Sequence, residues 1–508
     1  MKRFWERPGQ LFLLIFAWKA VLLFGFALPP PANDAYFYDG PVVHFLNHGG
    51  YFNPAIAQSR PISGTVFFSS YPPLYQITLL GWMTLAGTSV VSAMAFHLAL
   101  FGAYQLTVLA LFRRWQIAGR NACIAGLFLF AITFDDRPDA LACLFGTLGI
   151  YASVRSFAGF RHWSWLAAVF GVLAMATSLQ MGALYAAWIF LSLVAGWKFL
   201  RTRLPVTALA AMILLPPVLL ALVRFGFPNL WAGFLENVHG NASLTGVRMP
   251  QFGDLLKAGR GLAAVFLLTP IVILAARKYG RGMQWTAREV VFVTGLPTAL
   301  AFMAACFTVV AANWMGIINY FQPILVALFL TAVAERHPQW LRTRTFAGIV
   351  AALVGVASIR AIGLSTWGLT CAADVSETAA IRRVGAELDA VPPQANVLLS
   401  AAYLYEADRH PGGNWIHEDY APTNEAKETF PQALRRLRPA KLVLTQFDYF
   451  RRYRAVLEQL RATGGGEFTV TNLAQVRAPD SFLAWQQVVQ HISWAPVIVT
   501  FQWPETNR

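Results

Sequence analysis

Long apolar stretches recur through the first 362 residues, and they limit the fold more than any other feature of the sequence. About 20 apolar residues in a helix suffice to cross the ~30 Å hydrocarbon core of a bilayer. Charged residues make up 13% of the chain, about half the ~25% of soluble proteins, which is too few to cover a soluble surface. The sequence therefore predicts an all-α polytopic membrane bundle of about eleven transmembrane helices, near 11–28, 89–112, 121–134, 139–154, 163–179, 183–200, 204–223, 261–276, 289–310, 317–334 and 345–362.

The Lys and Arg residues between these stretches predict the orientation. The N-terminal segment and the loops on its side of the membrane contain 18 of them, whereas the opposite loops contain 6. Because Lys and Arg concentrate in short cytoplasmic loops, we expect the N-terminus inside. A span at 72–87 would reverse this bias, so that segment is predicted to be a juxtamembrane helix on the outer side. The net charge of +15 then reflects topology, and no nucleic-acid partner is predicted.

The chain is predicted to have two domains. Residues 1–362 form the membrane domain, which includes an outer loop at 29–88, and residues 363–508 form a soluble domain on the outer side. The second part has more charges and alternates short apolar runs with helical patterns, which predicts a small α/β domain. The strand-like runs are Asn396–Ala402, Lys441–Thr445 and Val497–Phe501, and the helical patterns are Glu377–Leu388 and Tyr449–Arg461.

Acidic side chains gather in the outer loops. Asp34 and Asp39 follow the first span, and Asp139 begins the fourth. Transporters often carry ionisable groups at mid-depth, and Lys19 is the main one here. Each acid also has a plainer interpretation, since Asp34 could cap a helix and Asp139 suits a first helical turn. Together on one side, they predict a site that faces outward.

Four short motifs accompany these acids: Asp34-Ala35-Tyr36, Ser69-Ser70-Tyr71-Pro72-Pro73-Leu74-Tyr75, Arg137-Pro138-Asp139-Ala140-Leu141-Ala142 and Asn319-Tyr320-Phe321-Gln322-Pro323. With them, the chain resembles the GT-C superfamily of integral membrane glycosyltransferases over about residues 10–335. The nearest branch is that of bacterial protein O-mannosyltransferases and aminoarabinose transferases, glycosyltransferase family 39.

The resemblance implies a transferase that uses a sugar on a polyprenyl phosphate and inverts the anomeric carbon. The reaction would occur at the periplasmic face of a bacterial inner membrane, and the acceptor could be a lipid, a glycan or a protein. By the motif position, Asp34 would be the general base that takes the acceptor proton. Asp39 is the alternative base. Asp139 would be the second acid, which orients a substrate.

The resemblance and the loop positions suggest further binding residues. Arg60 and Arg137 are the best placed for the donor phosphate, although both could snorkel at the interface. Some relatives have a Lys at the position of Tyr71, so phosphate binding there is open. Weaker candidates are Arg248 and Arg260 in the third outer loop, and Asn319 and Tyr320 at the start of a late span.

No cofactor is firmly implied. A divalent metal at Asp34 and Asp139 is one expectation, since hard cations prefer carboxylate oxygens. His44 and His48 are four residues apart and would make a weak metal site by themselves. Two other functions stay open at this stage: a transporter or flippase of lipid-linked sugars without transferase chemistry, and an assembly protein whose outer domain binds partners.

Overall fold

The computed structural model of the chain describes residues 6–31, 34–69, 72–132, 137–160, 162–242, 285–308, 320–336, 339, 343–410, 412–423, 428–463, 466–472 and 493–503. Helices account for most of this part, and a small sheet lies near the C-terminus. The predicted combination of a mostly helical membrane chain with a C-terminal sheet is therefore confirmed.

The helices of the membrane part follow the apolar stretches. α7 packs against α5, α8 and α9, and α9 packs in turn against α12. In order, the helices are α1 Pro8–Phe26, α2 Ala35–His48, α3 Pro61–Thr65, α4 Leu74–Ala86, α5 Val90–Arg114, α6 Gly119–Leu127, α7 Asp139–Phe157, α8 His162–Met175, α9 Leu179–Leu200, α10 Val206–Gly226, α11 Pro228–Ala242, α12 Ala287–Thr308, α13 Gln322–Arg336 and α14 Arg344–Asp374.

Five of the described helices are long and apolar enough to cross a membrane: α1, α5, α7, α9 and α10. Some of the other predicted spans are shorter helices, such as α8 with 14 residues, and the predicted span 261–276 lies outside the described residues. Eleven spans therefore stay a prediction. The 13 residues of α4 extend only about 20 Å, short of the ~30 Å hydrocarbon core.

The first outer loop is built from α2, α3 and α4. α2 packs on α4 on one side and on a helix of the C-terminal region on the other. Asn53 fastens the loop from inside, because its buried amide donates to the carbonyl of Tyr36 at 2.9 Å and its oxygen accepts from the Ala55 N–H at 3.2 Å. The loop is thus an ordered platform beside the bundle.

The C-terminal region contains one five-stranded mixed sheet in the order β2-β1-β3-β5-β4. β1 is parallel to β2 and β3, and β5 is antiparallel to β3 and β4. The three predicted strands correspond to β1, β3 and β5, while β2 and β4 were not predicted. The bounds are β1 Asn396–Leu399, β2 Asn414–His417, β3 Lys441–Thr445, β4 Glu467–Asn472 and β5 Pro496–Gln502, with helices α15 Glu377–Asp389, α16 Ala401–Ala407, α17 Phe430–Leu437 and α18 Arg454–Ala462.

α14 ends at Asp374, so the predicted domain boundary at 363 falls inside a helix. Beyond it, the part that the sequence predicts to be a soluble domain packs on α2 through α16.

Asp39 lies at the centre of this contact. It is fully buried in α2, and its carboxylate accepts hydrogen bonds from Tyr75 of α4 at 2.7 Å and from Tyr405 of α16 at 2.8 Å. Tyr75 also contacts the ring of His97 in α5, at 3.0 Å. One carboxylate therefore links the outer loop, the bundle and the soluble domain.

Burial raises the pKa of Asp39 to about 7, although the hydrogen bonds from Tyr75 and Tyr405 oppose the rise. The folded chain therefore binds more protons than the unfolded chain between about pH 4 and pH 7. We expect Asp39 to lower the free energy of unfolding as pH rises through that window, by at most about 1.4 kcal/mol per pH unit. Below pH 4 this penalty is absent, and above pH 7 it is constant.

The comparison that checks this is thermal unfolding of the wild type and of Asp39→Asn from pH 4 to pH 8. Asp39→Asn should lack this part of the pH slope, whereas Asp374→Asn, at an exposed position, should keep it. Parallel curves for Asp39→Asn and the wild type would contradict the expectation.

Candidate active site

Arg137 joins two carboxylates that lie at the starts of α2 and α7. Its Nη1 donates to Oδ2 of Asp34 at 2.9 Å, and its Nε donates to Oδ2 of Asp139 at 3.1 Å. The three residues come from two outer loops that are about a hundred positions apart in the sequence. The structure thus brings together three of the predicted site residues.

Local structure explains why these side chains meet. Asp34 immediately precedes α2, but its side chain makes no capping hydrogen bond and pairs with Arg137 instead. Asp139 begins α7, where the helix dipole favours an acid. Its second oxygen accepts from Ser178 Oγ at 2.7 Å, and Ser178 caps α9. Asp139 is therefore fixed by two neighbours from different elements.

The two carboxylates differ in exposure. The Asp34 side chain is 47% exposed, whereas that of Asp139 is 5% exposed. An accessible carboxylate can reach a substrate proton, and a buried one with fixed partners is suited to positioning. The geometry favours Asp34 as the reacting group and Asp139 as the support of Arg137.

Aromatic rings line one side of this group. The guanidinium of Arg137 lies 5.7 Å from the ring centre of Tyr38. Tyr420 of the soluble domain stacks on Phe37, with centroids 5.0 Å apart and planes 12° apart. Burial raises the pKa of Tyr420 well above its ordinary value, and the carboxylate of Asp34 adds to the rise. The Tyr420 hydroxyl therefore stays protonated and can donate a hydrogen bond.

Arg60 is buried against α11. It is 3% exposed, and its Nε donates to Asn237 of α11 at 3.2 Å. Gly240 lies so close that a Cβ there would be 2.0 Å from the Arg60 Cζ. Burial lowers the pKa of the guanidinium, while Tyr420 and Glu236 oppose the change. Arg60 is therefore an interior residue that contacts α11, with Tyr420 close enough to affect its pKa. It does not snorkel at the surface.

An apolar groove of about 240 Å³ lies between α4 and the start of α11, and one of its walls contacts Phe37 of α2. Phe68 and Leu80 are among its walls, and Phe68 also contacts the ring of Phe37 at 5.4 Å. Gln76 lines the same groove, and both polar atoms of its amide are buried without a hydrogen-bond partner in the described part of the chain. The groove can accept a chain of apolar groups together with one polar contact.

The remaining predicted residues lie elsewhere. Tyr320 packs deeper in the bundle, where its ring lies 5.1 Å from that of Tyr104 and its carbonyl accepts from the Tyr104 hydroxyl. These contacts do not join it to Arg137. Four further candidates fall outside the described residues and stay predictions: Tyr71, Arg248, Arg260 and Asn319.

The guanidinium of Arg137 lies between the carboxylates of Asp34 and Asp139. A divalent cation held by both acids would have to displace Arg137, and a metal at these residues stays a prediction.

Sequence reasoning missed Ser178 and Tyr420. Ser178 precedes an apolar helix and could have been recognised as a helix cap. Tyr420 lies in a different domain from Asp34, and no spacing in the sequence signals their proximity.

The helical arrangement is similar to that of solved membrane proteins. ArnT from Cupriavidus metallidurans, in a crystal structure bound to undecaprenyl phosphate, superimposes with a TM-score of 0.53 at 14% identity, covering 97% of both chains. The oligosaccharyltransferase AglB from Archaeoglobus fulgidus, in complex with an inhibitory peptide and a dolichol-phosphate, gives a TM-score of 0.49 at 11% identity, covering 88% of this chain and 70% of that one. No protein-family model and no curated protein matches the chain. The likeness to ArnT over 97% of both chains shows that this chain has the same overall fold as that protein.

Proposed function

We propose that this protein is a membrane glycosyltransferase, which moves a sugar from a polyprenyl-phosphate-linked donor to an acceptor hydroxyl at the outer face of the membrane. In a bacterium this is the periplasmic face of the inner membrane. The acceptor belongs to a lipid, a glycan or a protein. The observation that carries the proposal is the Asp34–Arg137–Asp139 group, together with an apolar groove that reaches α2 through the contact of Phe68 with Phe37.

Each part of this group suits one part of a lipid-linked donor. The groove at Phe68 and Gln76 would accept the first isoprenoid units. Arg137 can bind phosphate oxygens through two N–H groups, and the protonated Tyr420 hydroxyl can donate a further hydrogen bond. The solved ArnT structure contains undecaprenyl phosphate, which supports a donor of this chemical class.

The proposed reaction is a single displacement. Asp34 takes the proton of the acceptor hydroxyl while the acceptor oxygen bonds to the anomeric carbon. The bond between that carbon and the phosphate oxygen breaks, and polyprenyl phosphate leaves with the electron pair. Attack from the face opposite the leaving group inverts the anomeric carbon. Phosphate is a fair leaving group, so no strong general acid is required.

The contacts of Arg137 favour binding of the donor before Asp34 acts as the base. Before the donor binds, its charge is shared between Asp34 and Asp139. An arriving phosphate competes for the same N–H groups, and contacts that shift to the phosphate release Asp34 to act as a base. Donor binding would thereby prepare the base for the acceptor.

We expect Asp34→Asn to lower the rate of transfer by about 10²- to 10⁴-fold, the range of a lost general base. Thermal stability should change little, because Asp34 is 47% exposed. The measurement is initial transfer rate per mole of folded protein in lipid nanodiscs. Asp389→Asn, whose side chain is 72% exposed in the soluble domain, is the matched control. Wild-type turnover by Asp34→Asn would remove Asp34 from the mechanism.

A second expectation concerns Tyr420. Tyr420→Phe keeps the stack on Phe37 but loses the hydroxyl, and should slow transfer about 10-fold, the effect of one hydrogen bond of ~1.4 kcal/mol. Tyr420→Ala also loses the stack and should slow transfer further. Tyr449→Phe, a partly buried tyrosine of the same domain, should transfer at the wild-type rate. Equal rates for all three variants would exclude a contribution from Tyr420.

Transport without transfer is the competing function. A transporter would use charged groups inside the membrane, and Lys19 is the main such group predicted here. Its Nζ donates to the carbonyl of Ile132 and lies 5.0 Å from the ring centre of Phe101. Such contacts suit a structural role.

Vesicles that contain the protein and a panel of radiolabelled polyprenyl-phosphate sugars distinguish the two functions. Transfer predicts a labelled acceptor and free polyprenyl phosphate for at least one sugar, both dependent on Asp34. Movement of intact donor across the vesicle membrane, with no product from any sugar, would favour a flippase.

A further inference from the structure

Two histidines of α2 and a carboxylate of the soluble domain come together outside the Asp34 group. His44 and His48 are one turn apart, so they share a helix face. Asp408 follows α16 and reaches this face: its Oδ1 lies 2.9 Å from His44 Nδ1, and its Oδ2 lies 3.4 Å from His48 Nε2. One ligand atom from each of the three lies within 4.8 Å of the other two.

We propose that His44, His48 and Asp408 bind a zinc ion, which fastens the soluble domain to α2. Imidazole nitrogen and carboxylate oxygen are both ordinary zinc ligands, at about 2.0 to 2.2 Å from the metal. Tetrahedral ligands at that radius are about 3.3 Å apart. His44 Nδ1 lies 2.9 Å from Oδ1 of Asp408 and His48 Nε2 lies 3.4 Å from Oδ2, so side-chain rotations that bring one carboxylate oxygen and both nitrogens around a single ion would produce the centre.

Residues around the proposed zinc site orient the carboxylate of Asp408. Asn47 Nδ2 donates to Oδ2 of Asp408 at 2.8 Å, and the Asp408 carboxylate lies near enough to Tyr36 to add to the rise that burial causes in the pKa of that tyrosine. Metal-binding residues commonly have partners of this kind, which fix their orientation. The Asp408 side chain is only 5% exposed, and a bound cation would compensate the loss of solvation of a buried charge.

The site has one open side. The His48 side chain is 43% exposed, whereas that of His44 is 14% exposed. An ion can therefore enter past His48, and a water molecule can serve as the fourth ligand. The two imidazoles lie 4.7 Å apart between ring centres. Without a metal, His48 Nε2 donates to the main-chain carbonyl of Asp408 at 2.7 Å, and zinc at Nε2 would replace that hydrogen bond.

Metal binding itself tests the proposal, and it does not depend on transfer activity. The full-length protein in nanodiscs is stripped with a chelator, returned to metal-free buffer and titrated with Zn²⁺ alone against a competing indicator. We expect one zinc per chain. Asn47→Ala should weaken the affinity about 10- to 100-fold, as for other outer partners of metal ligands. His44→Ala, His48→Ala and Asp408→Asn should each weaken it further.

His162→Ala is the matched control, because His162 is exposed in another part of the chain, and it should bind zinc like the wild type. Co²⁺ in place of Zn²⁺ should give the visible absorption of a tetrahedral site, which His48→Ala loses. His48 is the most exposed ligand, so its variant serves if the others unfold. A wild type without stoichiometric zinc, or wild-type affinity in His48→Ala, would overturn the proposal.

Discussion

The packing of the soluble domain against α2 is the constraint on which both sites depend. Successive side chains of this 14-residue helix face partners in the other domain. Tyr36 meets the ring of Tyr405 edge-on at 5.1 Å, Phe37 stacks on Tyr420, and Asp39 accepts from Tyr405. Further along the helix, His44 contacts Asp408. Because Asp34 begins the same helix, anything that shifts α2 on the soluble domain also changes what surrounds the candidate base.

Burial separates the two acids of this segment, which are five residues apart. Asp39 is enclosed and hydrogen-bonded by Tyr75 and Tyr405, so its carboxylate has no exposed surface from which to meet a substrate. The Asp34 side chain is about half exposed, and one of its oxygens, Oδ2, accepts a hydrogen bond from Arg137. The buried carboxylate of Asp39 therefore links three elements through its two tyrosine partners. The exposed carboxylate of Asp34 can separate from Arg137 and then accept a proton. The sequence left both acids open as bases, and their surroundings favour Asp34.

Sequence periodicity and local motifs predicted much of the fold. The apolar stretches predicted the long helices, and β-rich runs predicted β1, β3 and β5, which form the centre of the sheet. The edge strands β2 and β4 were not predicted because they are less apolar: β2 reads Asn-Trp-Ile-His, and most of β4 is exposed. The Asp34, Arg137 and Asp139 cluster was predicted from loop motifs. Tyr420 and Asp408 were not, because domain contacts leave no local periodicity in a single sequence.

These contacts also determine how the role of the soluble domain can be tested. Removing the whole domain would take away Tyr420, but it would also take Tyr405 from Asp39 and Asp408 from His44 and His48. Asp39 would then lose one of its two hydrogen bonds, and loss of one partner of a buried charge is destabilising. Loss of activity in a truncated chain could therefore result from a shifted α2 as well as from the loss of Tyr420. Single substitutions separate the two effects, because Tyr420 stacks on Phe37 near the start of α2, whereas Asp39 and His44 hold the helix further along.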